Sequence, residues 1–347
     1  MLLSKLSLYQ FSVELDRLLP VGKQRIDNRS GLVLAATAIA DNDERTEYVE
    51  ISPLTGIDVD GNQLTGFSQH SLAQTVTELN DNLPALLQQP VDSLLDLADN
   101  TEQSAIAFGL SLMHAKLMGS LNGHSLESRT IPLIYRNQDE PLTAVAERVQ
   151  ALGSNVHSVK VKVAQTSLED EIQLIHQILA IRPDLKLRLD ANRGFELQQA
   201  IEFIACIPLH AIEYIEEPCK QPSDNPSFYK AIEAPWALDE SLNDPDYQFE
   251  MQAGLCAIII KPMLLGSLDK LQALQNLANK HGVRTILSSS LEASLGIHAL
   301  SRLANMVTPD EIPGIDTLGA FSQDLIQSSG KAKCLQLSDL QPILELG

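Results

Sequence analysis

From about residue 130 onward the chain repeats one rhythm, a short apolar stretch followed by a longer amphipathic one. The strand-like stretches are IPLIYRN, SVKVKVA, LKLRLDAN, AIEYIEEP, PWALDES, AIIIKP and RTILSSS, with a weaker eighth at IPGIDTL. Helix-like stretches such as LEDEIQLIHQILAIR, ELQQAIEFIACI and LDKLQALQNLANKHG lie between them. Strands joined through helices pair in parallel, and eight rounds favour a closed (β/α) barrel over an open sheet. A doubly wound sheet is the alternative architecture, but no GxGxxG follows an early strand.

Within this rhythm, SVKVKVAQ at positions 158–165 carries two lysines inside a valine run. Side chains two apart on a strand share a face, so Val159, Val161 and Val163 point one way and Lys160 and Lys162 the other. A lysine-studded strand face ordinarily meets water. The following units point to a different reading. Lys162, Asp190, Glu216, Asp239 and Lys261 follow one another at intervals of 28, 26, 23 and 22 residues, each about one strand-helix unit. Each falls at or near the carboxyl end of its strand, the end where barrel enzymes hold their catalytic groups. In LKLRLD the alternation sends Leu187 and Leu189 toward the helices and Arg188 and Asp190 toward the interior. By the same register both lysines are expected inside.

Taken singly, Asp190 or Asn192 is a candidate helix cap, Glu216 and Glu217 before Pro218 are first-turn acids, and Asp239 is another cap. Taken together, three carboxylates converging from adjacent strands repel one another and call for a cation. Hard oxygen donors without thiolate or imidazole favour Mg²⁺, with Mn²⁺ as a substitute. A lysine titrates near about 10.4, and a second ammonium, a dication and burial all push that value down. One lysine of the pair is therefore read as a base and the other as the group that tunes it.

Composition excludes several alternatives. The chain has 347 residues, 44% of them hydrophobic, enough for one large barrel-like domain or two unequal domains. A net charge of -20 leaves no excess of basic groups for phosphate backbones, so a nucleic-acid partner is not expected. Cys206, Cys219, Cys256 and Cys334 form no CxxC pair, and the eight histidines form no HExxH cluster. Lys5 and Glu14 interrupt the amino-terminal apolar residues, and GLVLAATAIA is only ten residues long, too short to span a membrane. The expectation is a cytoplasmic, monomeric enzyme acting on a small anionic molecule, with no membrane partner.

The first part of the chain reads differently. LSLYQFSVEL alternates as a strand, PVGKQRIDNRS reads as a polar loop, and GLVLAATAIA and DERTEYVEIS read as two strands joined at DNDE. ISPLTGIDVDGNQLTGFS reads as a long loop. SLAQTVTELNDNLPALLQQ and TEQSAIAFGLSLMHAKLMG have helical periodicity. Lys23, Arg25 and Arg29 are either contacts for a substrate carboxylate or the charges of a solvated loop. Ser288, Ser289 and Ser290 precede a predicted helix whose free N–H groups suit another carboxylate, with simple capping as the alternative.

EISPLTG, KVKV, RLDANRGF, IEEPCK, LDESL, IIKPMLLGSL, SSSLEASLG and PGIDTL together resemble the enolase superfamily, in its muconate-lactonising-like branch. The resemblance covers nearly the whole chain. It implies an α/β fold, a modified TIM barrel (β/α)7β with an amino-terminal α+β capping domain. The cap would span 1–98, the barrel 99–320, and a segment 321–347 would return to the cap. A lysine base with Mg²⁺ stabilising an ene-diolate is established chemistry of that superfamily. Carried onto this chain, it implies Lys162 as acid and base, and Asp190, Glu216 and Asp239 as metal ligands. Lys261 becomes the cation against a delocalised anion, and Lys160 the neighbour of the base. Arg188, Asn192, Ser288, Ser289, Ser290 and Gly314 are the candidate substrate contacts. The implied reaction is loss of water from a cyclohexadiene carboxylate bearing a hydroxyl and a succinyl arm. Racemisation or epimerisation of N-acylated amino acids or dipeptides is the alternative on the same scaffold. The chain departs from the branch at Tyr48 and Val49, where relatives often carry Trp and Gly, and at extra residues about 57–65.

Overall fold

The computed structural model describes residues 1–22, 24–41, 43–124, 130–136, 140–244 and 247–347. The amino-terminal elements are β1 (Leu2–Val21), β2 (Gln24–Ala40), β3 (Asp43–Ile51), α1 (Leu72–Leu86), α2 (Ser93–Asn100) and α3 (Ser104–Leu117). Strand and helix then alternate: β4 (Leu133–Ile134), α4 (Leu142–Gln150), β5 (Ser158–Lys162), α5 (Leu168–Ile181), β6 (Lys186–Asp190) and α6 (Leu197–Ala205). Next come β7 (Ile212–Glu216), α7 (Asn225–Ile232) and β8 (Trp236–Leu238), then β9 (Leu255–Ile260) with no α-helix among the described residues between the two strands, α8 (Pro262–Leu265) and α9 (Leu268–Lys280). After these come β10 (Arg284–Leu287), α10 (Ser294–Val307), β11 (Asp324–Leu325), β12 (Cys334–Leu335) and β13 (Gln341–Leu346).

The chain divides into two compact units. The first gathers Met1–Ser128, Ile260–Leu274 and Leu287–Gly347. It holds a four-stranded sheet in the order β13-β1-β2-β3, with antiparallel pairings throughout. The carboxyl-terminal β13 lies beside β1, Leu6 opposite Leu346. Segment 20–30, read from sequence as a polar loop, is instead mostly strand: Leu19 pairs with Ile26 and Val21 with Gln24. Its turn-forming residues are overridden because Leu19, Val21 and Ile26 find a shared apolar cluster with Phe11 and Val13. Lys23 and Asn42, parts of two sequence readings, lie outside the described residues.

Helix α1 starts at a capping box in which the Gln74 amide donates to Ser71 Oγ while the Ser71 amide donates to Gln74 Oε1. Helix α3 is buried on nearly every side, which suits its Ala- and Leu-rich sequence. Gly109 lets α3 approach β3, since a Cβ there would meet Ile51 Cγ1 at 2.4 Å.

The second unit gathers Arg129–Ile259 and Gln275–Ile286. Its seven-stranded sheet runs β10-β9-β8-β7-β6-β5-β4, and every pairing from β4 to β9 is parallel. Val159, Val161, Leu187, Leu189 and Ile215 are fully buried along it. Each such side chain contributes about 1.5–3 kcal/mol by leaving water. The seven principal sequence strands are all present, although Asn137 of IPLIYRN lies outside the described residues. The eighth, IPGIDTL, is reduced to a single parallel bridge between Ser288 and Gly314 in the first unit. Pro313 and the short run leave it too little backbone for a ladder. No helix among the described residues is long and apolar enough to cross a membrane.

Candidate active site

The sheet register of the second unit aligns Lys162 with Asp190 and Asp190 with Glu216 across three neighbouring strands. Asp239 follows the end of β8 and continues the row. Ligand oxygens of Asp190, Glu216 and Asp239 all lie within 4.8 Å of one another, and all three residues are buried. These three carboxylates can hold a metal ion, and their all-oxygen chemistry suits a hard divalent cation.

The two lysines meet this cluster from β5. Lys160 Nζ lies 2.8 Å from Asp190 Oδ2 and 2.6 Å from Glu216 Oε2. Lys162 Nζ lies 2.8 Å from the same Asp190 oxygen and donates to Asn192 Oδ1 at 2.6 Å. Both lysine side chains keep 13% exposure while the carboxylates of Asp190 and Glu216 keep 1–2%, so the lysines are the more accessible members of the cluster. Asn192 Nδ2 donates to Glu240 Oε1 at 2.6 Å, which fixes the amide facing Lys162.

Burial opposes ionisation of Asp190, but the Lys160 and Lys162 ammoniums outweigh it and hold this carboxyl well below the usual range. Burial, together with the charges of Asp190 and Asp239, pushes Glu216 up to about 7 despite Lys160. Burial also disfavours the Lys160 ammonium, yet Asp190, Glu216 and Asp239 outweigh burial and raise its proton affinity well above normal.

The backbone beyond these strands is unusual. Ala164, Asn192, Arg193 and Glu217 adopt positive φ of 60°, 43°, 56° and 38°. Left-handed non-glycine residues cost energy and gather where side chains must be aimed. Gly194 closes the same turn: a Cβ there would sit 2.5 Å from Ala164 Cβ and 2.8 Å from the Ala191 carbonyl oxygen. Glu217 Oε1 accepts from the Asp239 and Ser241 amides at 3.2 and 3.0 Å, pinning the Asp239 segment to β7. Arg193 reaches Glu217, Ser241 and Asp244. Arg193 and Glu217 lie within the motifs RLDANRGF and IEEPCK, but their supporting contacts were not foreseen from sequence.

Other sequence candidates take different places. Arg188 lies two residues before Asp190, with Nε donating to Glu213 Oε2 at 3.0 Å and its guanidinium over the Tyr214 ring. A register shift at Glu213 creates this pairing. Lys261, the serines and Gly314 belong to the first unit. Lys261 directly follows β9 and precedes α8. Ser288 Oγ donates to the Gly314 carbonyl at 3.0 Å, and Ser289 Oγ lies 3.4 Å from Thr317 Oγ1.

At the helix start after these serines, two of the backbone amides already have a side-chain partner, in keeping with the capping alternative. Glu50 accepts there from the Ala293 and Gly296 amides, each at 3.0 Å. Arg29, a candidate substrate contact, is buried and donates to the carbonyls of Ser30, Ser52, Pro53 and Leu291.

The family model described as enolase C-terminal domain-like matches residues 142–331, more than half of the chain. The chain belongs to this family, within the enolase superfamily, and is an enzyme. The o-succinylbenzoate synthase of Haemophilus influenzae is 30% identical over 325 residues, covering 93% of this chain and 92% of that protein. That of Pectobacterium atrosepticum is 33% identical over 327 residues, covering 93% of each. Among solved structures, o-succinylbenzoate synthase from Thermosynechococcus elongatus, complexed with Mg, aligns with a TM-score of 0.68 at 22% identity. It covers 95% of this chain and 97% of that one. A dipeptide epimerase from Cytophaga hutchinsonii, complexed with Mg and a dipeptide, aligns with a TM-score of 0.73 at 19% identity, covering 93% and 89%. The fold fits a modified TIM barrel with an amino-terminal cap.

Proposed function

We propose that the chain is a Mg²⁺-dependent lyase that removes water from 2-succinyl-6-hydroxy-2,4-cyclohexadiene-1-carboxylate to give o-succinylbenzoate, a step of menaquinone biosynthesis. The observation that carries the reading is Lys162 Nζ at the rim of a buried three-carboxylate cluster, held from its far side by Asn192. Relatives of that name at 30–33% identity over most of the chain support the choice of substrate.

Asp190, Glu216 and Asp239 are the residues that would hold the metal. The divalent cation supplies positive charge that offsets the negative charge growing on the substrate carboxylate and lowers the proton affinity of nearby ammoniums. Lys162, in its neutral form, takes the proton α to the carboxylate, and Asn192 keeps Nζ aimed at it. The electron pair from that C–H bond first delocalises into the substrate carboxylate, and then forms a ring double bond as the C–O bond to the hydroxyl breaks. Lys162 returns its proton to the departing hydroxide, so one group serves both steps from one face and water leaves. The aromatic product makes the second step downhill, so catalysis is needed mainly for the first. Lys160 stays protonated and balances Asp190 and Glu216.

Incubation of the purified protein with this cyclohexadiene and Mg²⁺ tests the reading: product must form well above the spontaneous rate, and its failure to do so ends the proposal. A second reading, dipeptide epimerisation, is favoured by the dipeptide epimerase among the structural neighbours. It predicts solvent deuterium at an α-carbon of an L,L-dipeptide, with loss of chirality.

A further inference from the structure

A pocket of about 230 Å³ lies wholly within the first unit, lined by residues of β3, α3, α10 and the segments after α3 and β11. Its walls bring together Glu47, Lys116, Asn122, His298 and Arg302. Glu47 is the one acid among the lining residues, and it is already committed. Arg45 Nε and Nη2 both donate to its Oε1 at 3.2 Å, and Lys116 Nζ lies 3.4 Å from its Oε2. His298 is likewise engaged through both ring nitrogens, 2.8 Å from Gln327 Oε1 and 2.8 Å from Ser329 Oγ.

Two cations remain with capacity to donate. Lys116 gives one N–H to the Tyr48 carbonyl and one to Glu47, which leaves a third. Its side chain is only 13% exposed, so water satisfies that donor poorly. Arg302 lies on the α10 wall one turn after His298, and among the described residues it makes no hydrogen bond or ion pair. It faces Lys116 as a like charge. Two cations turned toward one small cavity, in a chain whose net charge is -20, form an arrangement that costs energy unless an anion joins them. A guanidinium fork matches the oxygens of phosphate or carboxylate, and an ammonium beside it adds a point charge. The volume falls below the about 300–1,000 Å³ of sites for drug-sized ligands, which limits the occupant to a small group.

We propose that this pocket is an anion-binding site that holds a phosphate or carboxylate group between Lys116 and Arg302. Bound there, the anion joins β3, α3 and α10 of the first unit and raises its stability by mass action.

Calorimetric titration of the full-length, Mg²⁺-loaded protein with inorganic phosphate and, separately, succinate tests the site and tells the two chemistries apart. At least one anion gives a saturable component that also raises the melting temperature. Arg302→Gln weakens that component by about tenfold or more, as expected for loss of a charge-assisted hydrogen bond. Arg302 is half-buried at the pocket wall, so the variant keeps the parent melting temperature without anion, which separates lost binding from lost folding. The proposal is overturned if neither anion binds saturably, or if Arg302→Gln binds both within twofold of the parent.

Discussion

The molecule contains two buried clusters that mix cations with carboxylates and are satisfied in opposite ways. In the second unit, Lys160, Lys162, Asp190, Glu216 and Asp239 are bonded chiefly to one another's side chains, and the lysine side chains keep some exposure. In the first, Arg29 spends its donors on backbone carbonyls, and Glu50 accepts from Ser52 Oγ and two backbone amides. Partners on the backbone cannot be exchanged for a ligand without unfolding, whereas side-chain partners can. A buried charge cluster therefore suggests chemistry when its bonds are exchangeable and architecture when they are saturated by main chain.

The largest effect expected from this contrast follows Lys162→Ala. Turnover should fall by about 10²–10⁴-fold, the usual worth of a positioned acid-base group, with little change in melting temperature. Steady-state rates on the cyclohexadiene, paired with thermal melts, check both halves. An equal loss of stability would erase the distinction between the clusters.

Arg29→Met should do the reverse. It leaves Glu50 and Glu292 buried without their cation, a loss of about 3–5 kcal/mol in folding free energy by analogy with broken buried pairs. Urea unfolding measures it, and the residual folded enzyme should keep its turnover per active molecule.

The smallest effect is a pH dependence shared between the clusters. Burial pushes Glu216 up to about 7, and burial with the Glu50 charge pushes Glu292 up to about 7, both from 4.5. A carboxyl whose folded value is raised contributes stability that is full below about 4.5 and is lost as pH rises through 7. Melting temperature of chelated protein should decline across that window. Glu292→Gln removes part of the decline with or without Mg²⁺, while Mg²⁺ alone removes the part due to Glu216. A flat profile in chelated protein would contradict the account of both groups.

How much of this was legible in the sequence depends on distance along the chain. The strand-helix rhythm and the row Lys162, Asp190, Glu216 and Asp239 were readable because the unit length nearly repeats and parallel register converts that repeat into adjacency. The occupant of the α10 start was not, since Glu50 lies 243 residues from Ala293 and only the folded sheet brings it there. Arg188 was read as interior by alternation, but its partner was set by the irregular register at Glu213, which alternation cannot reveal. In segment 20–30 the turn-prone composition was outweighed by long-range pairing with β1.

Binding of Mn²⁺, followed by electron paramagnetic resonance in the parent and in Asp190→Asn, tests the central claim most directly. The account predicts one tightly bound ion per chain, displaced by Mg²⁺ and lost or greatly weakened in the variant. An ion bound with unchanged affinity in Asp190→Asn would contradict it.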